Sequence, residues 1–206
     1  MAGAFPINNS AFETLGIKSL QNTILTKSIN GKKLSRQVDN QRFGFTARII
    51  TAKRSDVYGA LMAFIMKQRS SKENFTIIPP EVKSTRGSET QVVSVNGSHT
   101  AGDNTIAMDG FGADGAGRFK AGDLIKFASH TKIYMIVEDV TSSSNASTVT
   151  IEPPLINALA DDEVVTYNNV PFTVHLTNDI QEFGAVGADK DGNLLYEFEL
   201  DVEEAI

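Results

Sequence analysis

The sequence of 206 residues contains no cysteine and no tryptophan. Without cysteine there is no disulfide, no thiol nucleophile and no thiolate metal site. Histidine is scarce as well: His99, His130 and His175 are the only imidazoles, and their spacing fits no metal-ligand pattern. No serine sits in a Gly-x-Ser-x-Gly elbow. The chain therefore reads as a non-enzyme, with no catalytic residue, no metal and no cofactor assigned. No run approaches the ~20 consecutive apolar residues of a membrane-spanning helix. The opening Met1-Ala2-Gly3-Ala4-Phe5-Pro6 lacks the basic and apolar regions of a signal peptide, so no membrane partner is expected. A net charge of −6 argues against a dedicated nucleic-acid binder, which needs a basic face to displace counterions.

What is present is unevenly distributed. Residues 1–80 carry 12 basic and four acidic residues; residues 81–166 carry six basic and 12 acidic; residues 167–206 carry Lys190 against nine acids. Eight of the 16 glycines lie in 81–166. Pro79-Pro80 stops the preceding strand, because proline cannot donate to a ladder. These shifts divide the chain into one domain built from both ends, 1–80 with 167–206, and a second domain, 81–166, inserted into it.

Local patterns fill in the first and last parts. Roughly 25 residues of weak periodicity come first. Asn30-Gly31 marks a hairpin with a type I′ turn. Phe43, Phe45, Ala47 and Ile49 alternate with smaller or polar residues, as in a half-buried strand. Ser55 suits a helix N-cap, and Val57, Ala60, Leu61, Phe64 and Ile65 then form one apolar helical stripe. Phe75–Ile78 reads as a short strand. Phe172, Val174 and Leu176 alternate in the last part, and the final strand places Leu194, Tyr196, Phe198, Leu200 and Val202 on one face. Glu197, Glu199, Asp201 and Glu203 fall on the other face, and such repeated like charges blunt edge pairing and repel polyanions.

The middle part holds short strands at 90–95, 104–108, 123–128, 133–139, 147–152 and 163–167, separated by turn residues. Six such strands suggest a small closed OB-like barrel, with 155–160 suited to one helical turn. The stretch Asp189-Lys190-Asp191-Gly192-Asn193 starts like a calcium loop, but the twelfth position is Leu200 where a bidentate glutamate is required, so a tight turn is the better reading. The Gly-rich 109–117 lacks the ending of a phosphate loop and reads as a mobile surface loop. The fold class is α+β and mostly β.

One stretch carries a family resemblance. Lys120-Ala121-Gly122-Asp123-Leu124, followed by His130-Thr131-Lys132-Ile133-Tyr134, resembles the corresponding segment of siphophage distal tail proteins. The order of a hairpin, helix and strand, then an OB-like barrel, then a return to a final strand agrees with that family; the first 25 residues and the loop 109–117 do not match it. The resemblance implies a tail-tube-like β-sandwich with one helix plus the inserted barrel. It further implies a structural virion protein at the tail tip, assembled in the host cytoplasm. There it would form a ring, usually a homo-hexamer, joining the tail tube protein to the baseplate hub protein, with side tail fibres as further neighbours in some members. DNA would pass through the channel without specific binding. Glu197, Glu199, Asp201 and Glu203 are then candidates for an acidic channel-facing strand that keeps DNA from sticking. A tail-tube or tail-terminator protein is the alternative within that class. A carbohydrate-binding module is the alternative outside it, weakened by the absence of tryptophan for sugar stacking.

Overall fold

The computed structural model describes residues 3–7, 11–38 and 40–206. Strands from the two ends of the chain form one sheet. Its members are β1 (Phe12–Leu20), β4 (Arg42–Lys53), β5 (Phe75–Ile77), β14 (Phe172–Leu176), β15 (Gly184–Ala188) and β16 (Leu194–Glu204). The order across the sheet is β1-β4-β16-β14-β5, with β15 beside the first half of β16. All these pairings are antiparallel. Between β1 and β4 the chain makes a separate two-stranded ribbon, β2 (Thr23–Lys27) and β3 (Lys33–Gln37). The ribbon turn differs from the expected type I′: it spans Ser28–Lys32, and of its residues only Gly31 takes a positive φ.

The alternation of β4 and β16 does what it predicts. Phe43, Phe45, Ala47 and Ile49 meet Phe198, Leu200 and Val202 in one buried face with Phe172, Val174 and Phe75. Helix α1 (Gly59–Gln68) covers that face with Leu61 and Ile65. Each fully buried large side chain contributes about 1.5–3 kcal/mol, so this layer supplies most of the sheet's stability. The helix start differs from expectation. A π-helical turn, Arg54–Tyr58, precedes α1, and Ser55 donates its hydroxyl to Asp56 instead of accepting a helix N–H. Tyr58 closes this turn, buried and donating to the carbonyl of Ile50 at 3.0 Å. Phe5 ties the start of the chain down, with its N–H on the carbonyl of Thr76 and its ring near Phe12, Phe64 and Phe75.

The middle of the chain closes on itself. Strands β6 (Val93–Val95), β7 (Thr105–Asp109), β9 (Leu124–Phe127), β10 (Tyr134–Ile136), β12 (Ala146–Glu152) and β13 (Val164–Thr166) form a closed barrel in the order β10-β12-β7-β6-β13-β9. Closure leaves these strands no free edge. A small ladder of β8 (Gly115–Ala116) with β11 (Thr141–Ser142) sits beside it. The expected helical turn at 155–160 is absent; irregular chain that bends at Ile156-Asn157 runs there, and Leu159 bridges His99. The barrel has its own core, including Phe111, Phe119, Phe127 and Tyr134. The observed class is α+β and mostly β. The layer facing the sheet is made by α1 and by Leu124 and Ile133 of the barrel segment.

Candidate functional site: the charged sheet face and the barrel clasp

The four carboxylates singled out on the last strand lie on the solvent side of the sheet, opposite its core. Each meets cationic or polar neighbours from β1 and β4, because antiparallel register places those residues across from it. Glu199 pairs in register with Arg48, Asp201 with Thr46 and Glu203 with Gly44. Glu197 forms an ion pair with Arg48, whose other side reaches Glu13 at 3.2 Å. Lys18 reaches Asp201 at 3.0 Å and Arg42 reaches Glu203 at 2.9 Å. Asp201 also accepts from Thr46 and Thr177. Burial alone would raise its pKa, but the Lys18, Thr177 and Thr46 donors hold it below the ordinary value. The face is therefore partly neutralised, with Glu13, Glu197, Glu199, Asp201 and Glu203 against Lys18, Arg42 and Arg48, which leaves it net acidic. Much of the charge contrast between the two ends of the chain is spent inside this sheet. A groove of about 670 Å³ crosses the face, floored by Arg48, Glu197 and Asp201 and walled by Ile180, Gln181 and Glu182.

The next carboxylate on the strand turns the other way. Glu204 is 1% exposed and points into the junction between sheet and barrel. Lys132, fully buried, reaches it at 2.5 Å. Glu204 also accepts the N–H of Ile133 at 2.7 Å and of Phe43 at 3.0 Å. The ammonium donates to Gln41 at 3.1 Å and lies 4.8 Å from the centre of the Phe43 ring. Burial pushes the Lys132 pKa down, and Glu204 opposes that shift. This is a clasp: one residue from the barrel hairpin locked to three from the sheet. Glu204 is easily passed over because it directly follows the acids of β16, but it breaks their alternation: it falls on the apolar face, in phase with Phe198, Leu200 and Val202.

The other residues of the resembling stretch also have structural tasks. Asp123 accepts from Lys120 N–H at 2.9 Å, Arg86 N–H at 2.9 Å and the Thr85 hydroxyl, which fixes the entry segment against the barrel. His130 is buried, with Nδ1 2.8 Å from the Tyr134 hydroxyl, and burial lowers its pKa. The same burial raises Tyr134 to about 12. The Tyr134 hydroxyl in turn accepts the Ile156 N–H at 3.3 Å, tying the irregular 155–160 segment to the hairpin.

The Gly-rich segment is pinned, contrary to the expectation of a mobile loop. Phe111 is 2% exposed and fills the barrel end. The Glu89 carboxylate lies beneath the loop and accepts N–H groups of Gln91, Thr90 and Gly112 and the guanidinium of Arg118 at 2.7 Å. Burial pushes the Glu89 pKa up, and the Gln91, Arg118, Thr90 and Gly112 donors together bring it below its ordinary value. A Cβ on Gly112 would stand 2.6 Å from the Gln91 side chain, which accounts for the glycine there.

Residues 81–170 match the family model described as the distal tail protein pb9, B domain. The barrel is similar to a distal tail protein B domain. No curated protein matches the chain. The match lies over the barrel, and it agrees with the distal tail protein resemblance carried by Asp123, His130, Lys132 and Tyr134. In this barrel those four residues hold the strands together and seat them on the sheet. The three histidines do not converge: His130 is in the barrel core, His99 accepts the Ala107 N–H at 3.2 Å, and His175 lies on β14 opposite Glu203. Among the described residues no cluster of His, Asp and Glu could hold a metal ion. The Asp189 segment is a turn: its carboxylate accepts the N–H groups of Asp191 and Asn193 at 2.9 Å and pairs with Lys53.

Proposed function

We propose that this chain forms a ring at the distal end of a long phage tail, joining the tail tube to the tip or baseplate hub and leaving a channel for DNA. The observation that carries the reading is the B-domain match to a barrel inserted between the two halves of a sheet. In this reading the domain of 1–80 and 167–206 builds the ring, and the barrel of 81–166 is a bracket held at a fixed angle by the Lys132–Glu204 clasp. The face bearing Glu197, Glu199, Asp201 and Glu203 lines the channel. Its partly neutralised, net acidic charge suits a surface that DNA must slide past: excess cations would bind phosphates, and the extra carboxylates over Lys18, Arg42 and Arg48 keep the face weakly repulsive.

The test is location and size. Gold-labelled antibody to the chain should mark one end of negatively stained tails, and the assembled protein should have a mass near six times 22.3 kDa. Label distributed along the whole tail would replace this reading with that of a tube protein. A ring structure with Glu197, Glu199, Asp201 and Glu203 on its outer rim would remove the channel assignment.

A further inference from the structure

The ribbon β2–β3 has no core of its own. Both its strands are exposed along their whole length. An isolated two-stranded ribbon is marginal in water, and this one displays Ile24, Leu25 and Leu34, each more than half exposed. Register sorts its side chains. Ile24 lies opposite Arg36, and Thr26 opposite Leu34, so Ile24, Leu34 and Arg36 share one face. The ribbon carries Lys27, Lys32, Lys33 and Arg36 and no carboxylate between residues 21 and 37.

A second exposed apolar patch has the opposite charge. It lies along β15 and its approaches: Ile180 is 87% exposed, and Val186 and Leu194 are about half exposed. Glu182 and Asp191 accompany them, both exposed, against one exposed cation, Lys190, while Asp189 is paired with Lys53, so the patch is net acidic. The register breaks between Ala185 and Gly187, which bulges Val186 out of the ladder. A bulged edge is a poor template for strand addition, so this patch is suited to side-chain docking.

The two patches cannot meet within one chain. β4 occupies one side of Leu195 and Tyr196 and β15 the other, so β15 lies across the sheet from β1. The ribbon leaves the sheet where Leu20 pairs with Arg42, while β15 pairs with Leu194–Glu197 at the far end of β16. They therefore occupy diagonally opposite corners. Lys18–Asp201 and Arg42–Glu203 show that the sheet's other opposite charges find each other internally; among the described residues these do not.

We infer that the Ile24, Leu34 and Arg36 face of the ribbon docks on the Val186, Leu194 and Glu182 edge of a second copy of this chain. Complementary charge and complementary apolar surface on opposite corners make the contact head-to-tail, which closes into a ring or runs on as a filament. The inference rests on the ring reading and names the surfaces that would form it.

The absence of cysteine makes the test direct. Full-length Leu34→Cys and Val186→Cys chains are mixed and treated with a short bis-maleimide. A cross-linked dimer is expected from the mixture and not from either variant alone. Adding Arg36→Glu should lower its yield by about tenfold or more, and Glu182→Arg in the partner chain should restore it. No dimer from the mixture, or a dimer from one variant alone, overturns the contact. A full-size ring that forms without the cross-link removes this contact and keeps the ring. Cross-linking into open chains that never close keeps the contact and removes the ring.

Discussion

The barrel and the sheet solve the same problem in different ways. The barrel is continuous in sequence and its strands close on one another. Its buried carboxylates, Glu89 and Asp123, are met by backbone N–H groups and side chains of the same segment or its entry. The sheet is made from two distant pieces, keeps free edges at β1 and β15, and carries a ribbon with exposed isoleucine and leucine. The barrel is complete as it stands, whereas in the proposed ring the sheet is completed by a neighbouring copy. The clasp is where the two meet, and variants there bear on the comparison most strongly.

The largest effect is expected at Glu204. Glu204→Gln leaves the Lys132 ammonium buried without its counter-charge and should cost about 3–5 kcal/mol in denaturant unfolding. Adding Lys132→Met to Glu204→Gln removes the stranded charge, but the Ile133 and Phe43 N–H groups use different carboxylate oxygens and the single glutamine carbonyl can accept only one of them. Part of the loss should then be recovered, with the other N–H left unpaired. If the single variant unfolds like the native chain, the clasp contributes nothing to seating the barrel.

Within the barrel, Glu89→Gln should cost about 1.5–3 kcal/mol, the range for a hydrogen-bonded charged group. The pH dependence has a definite sign. The folded pKa of Glu89 lies below its ordinary value of 4.5, so the unfolded chain takes up the proton first. The stability contributed by Glu89 is present above pH 4.5 and is lost as pH falls below it. The Glu89→Gln variant should lose that part of the acid dependence, measured as the unfolding midpoint against pH.

The sequence was most legible where side chains report their own surroundings. The strict alternation in β4 and β16 and the stripe of α1 follow from burial on one side, and the barrel strands appeared at their observed places between turn residues. β1 was illegible because it is an edge strand with little buried on either face; its Phe12–Leu20 run has no alternation to read. β15 was illegible because Gly184-Ala185-Val186-Gly187-Ala188 is a poor strand former that pairs only through its neighbour β16. Ser55 was misread as a cap because the π-helical turn before α1 cannot be seen in composition. On the charged face, the four acids of β16 share the side of the sheet opposite its core, but their cations are more than a hundred residues away in sequence. Only register shows that Arg48, Lys18 and Arg42 stand against them.

Those surface pairs should matter little for folding. Lys18→Ala removes one ion pair with Asp201 whose lysine is half exposed, and exposed pairs contribute less than about 1 kcal/mol. A larger loss would mean that Lys18 is covered when the protein is assembled, and the measurement should then change with protein concentration.

The smallest expected effect on the single chain is at Leu34, and it separates the two regions most cleanly. Leu34→Ser replaces an exposed side chain on a ribbon that packs against nothing in its own sheet, so unfolding of the dilute chain should shift by less than about 0.5 kcal/mol. Assembly should respond in the opposite sense, because the same substitution removes apolar area from the proposed contact. A comparable substitution in the barrel, at fully buried Phe127, should cost several kcal/mol regardless of concentration. An apolar residue that is indifferent to folding and decisive for association is what an unfinished sheet requires. If Leu34→Ser destabilises the dilute chain as a core substitution does, the ribbon is held by its own molecule, and the contrast between a complete barrel and an incomplete sheet fails at that point.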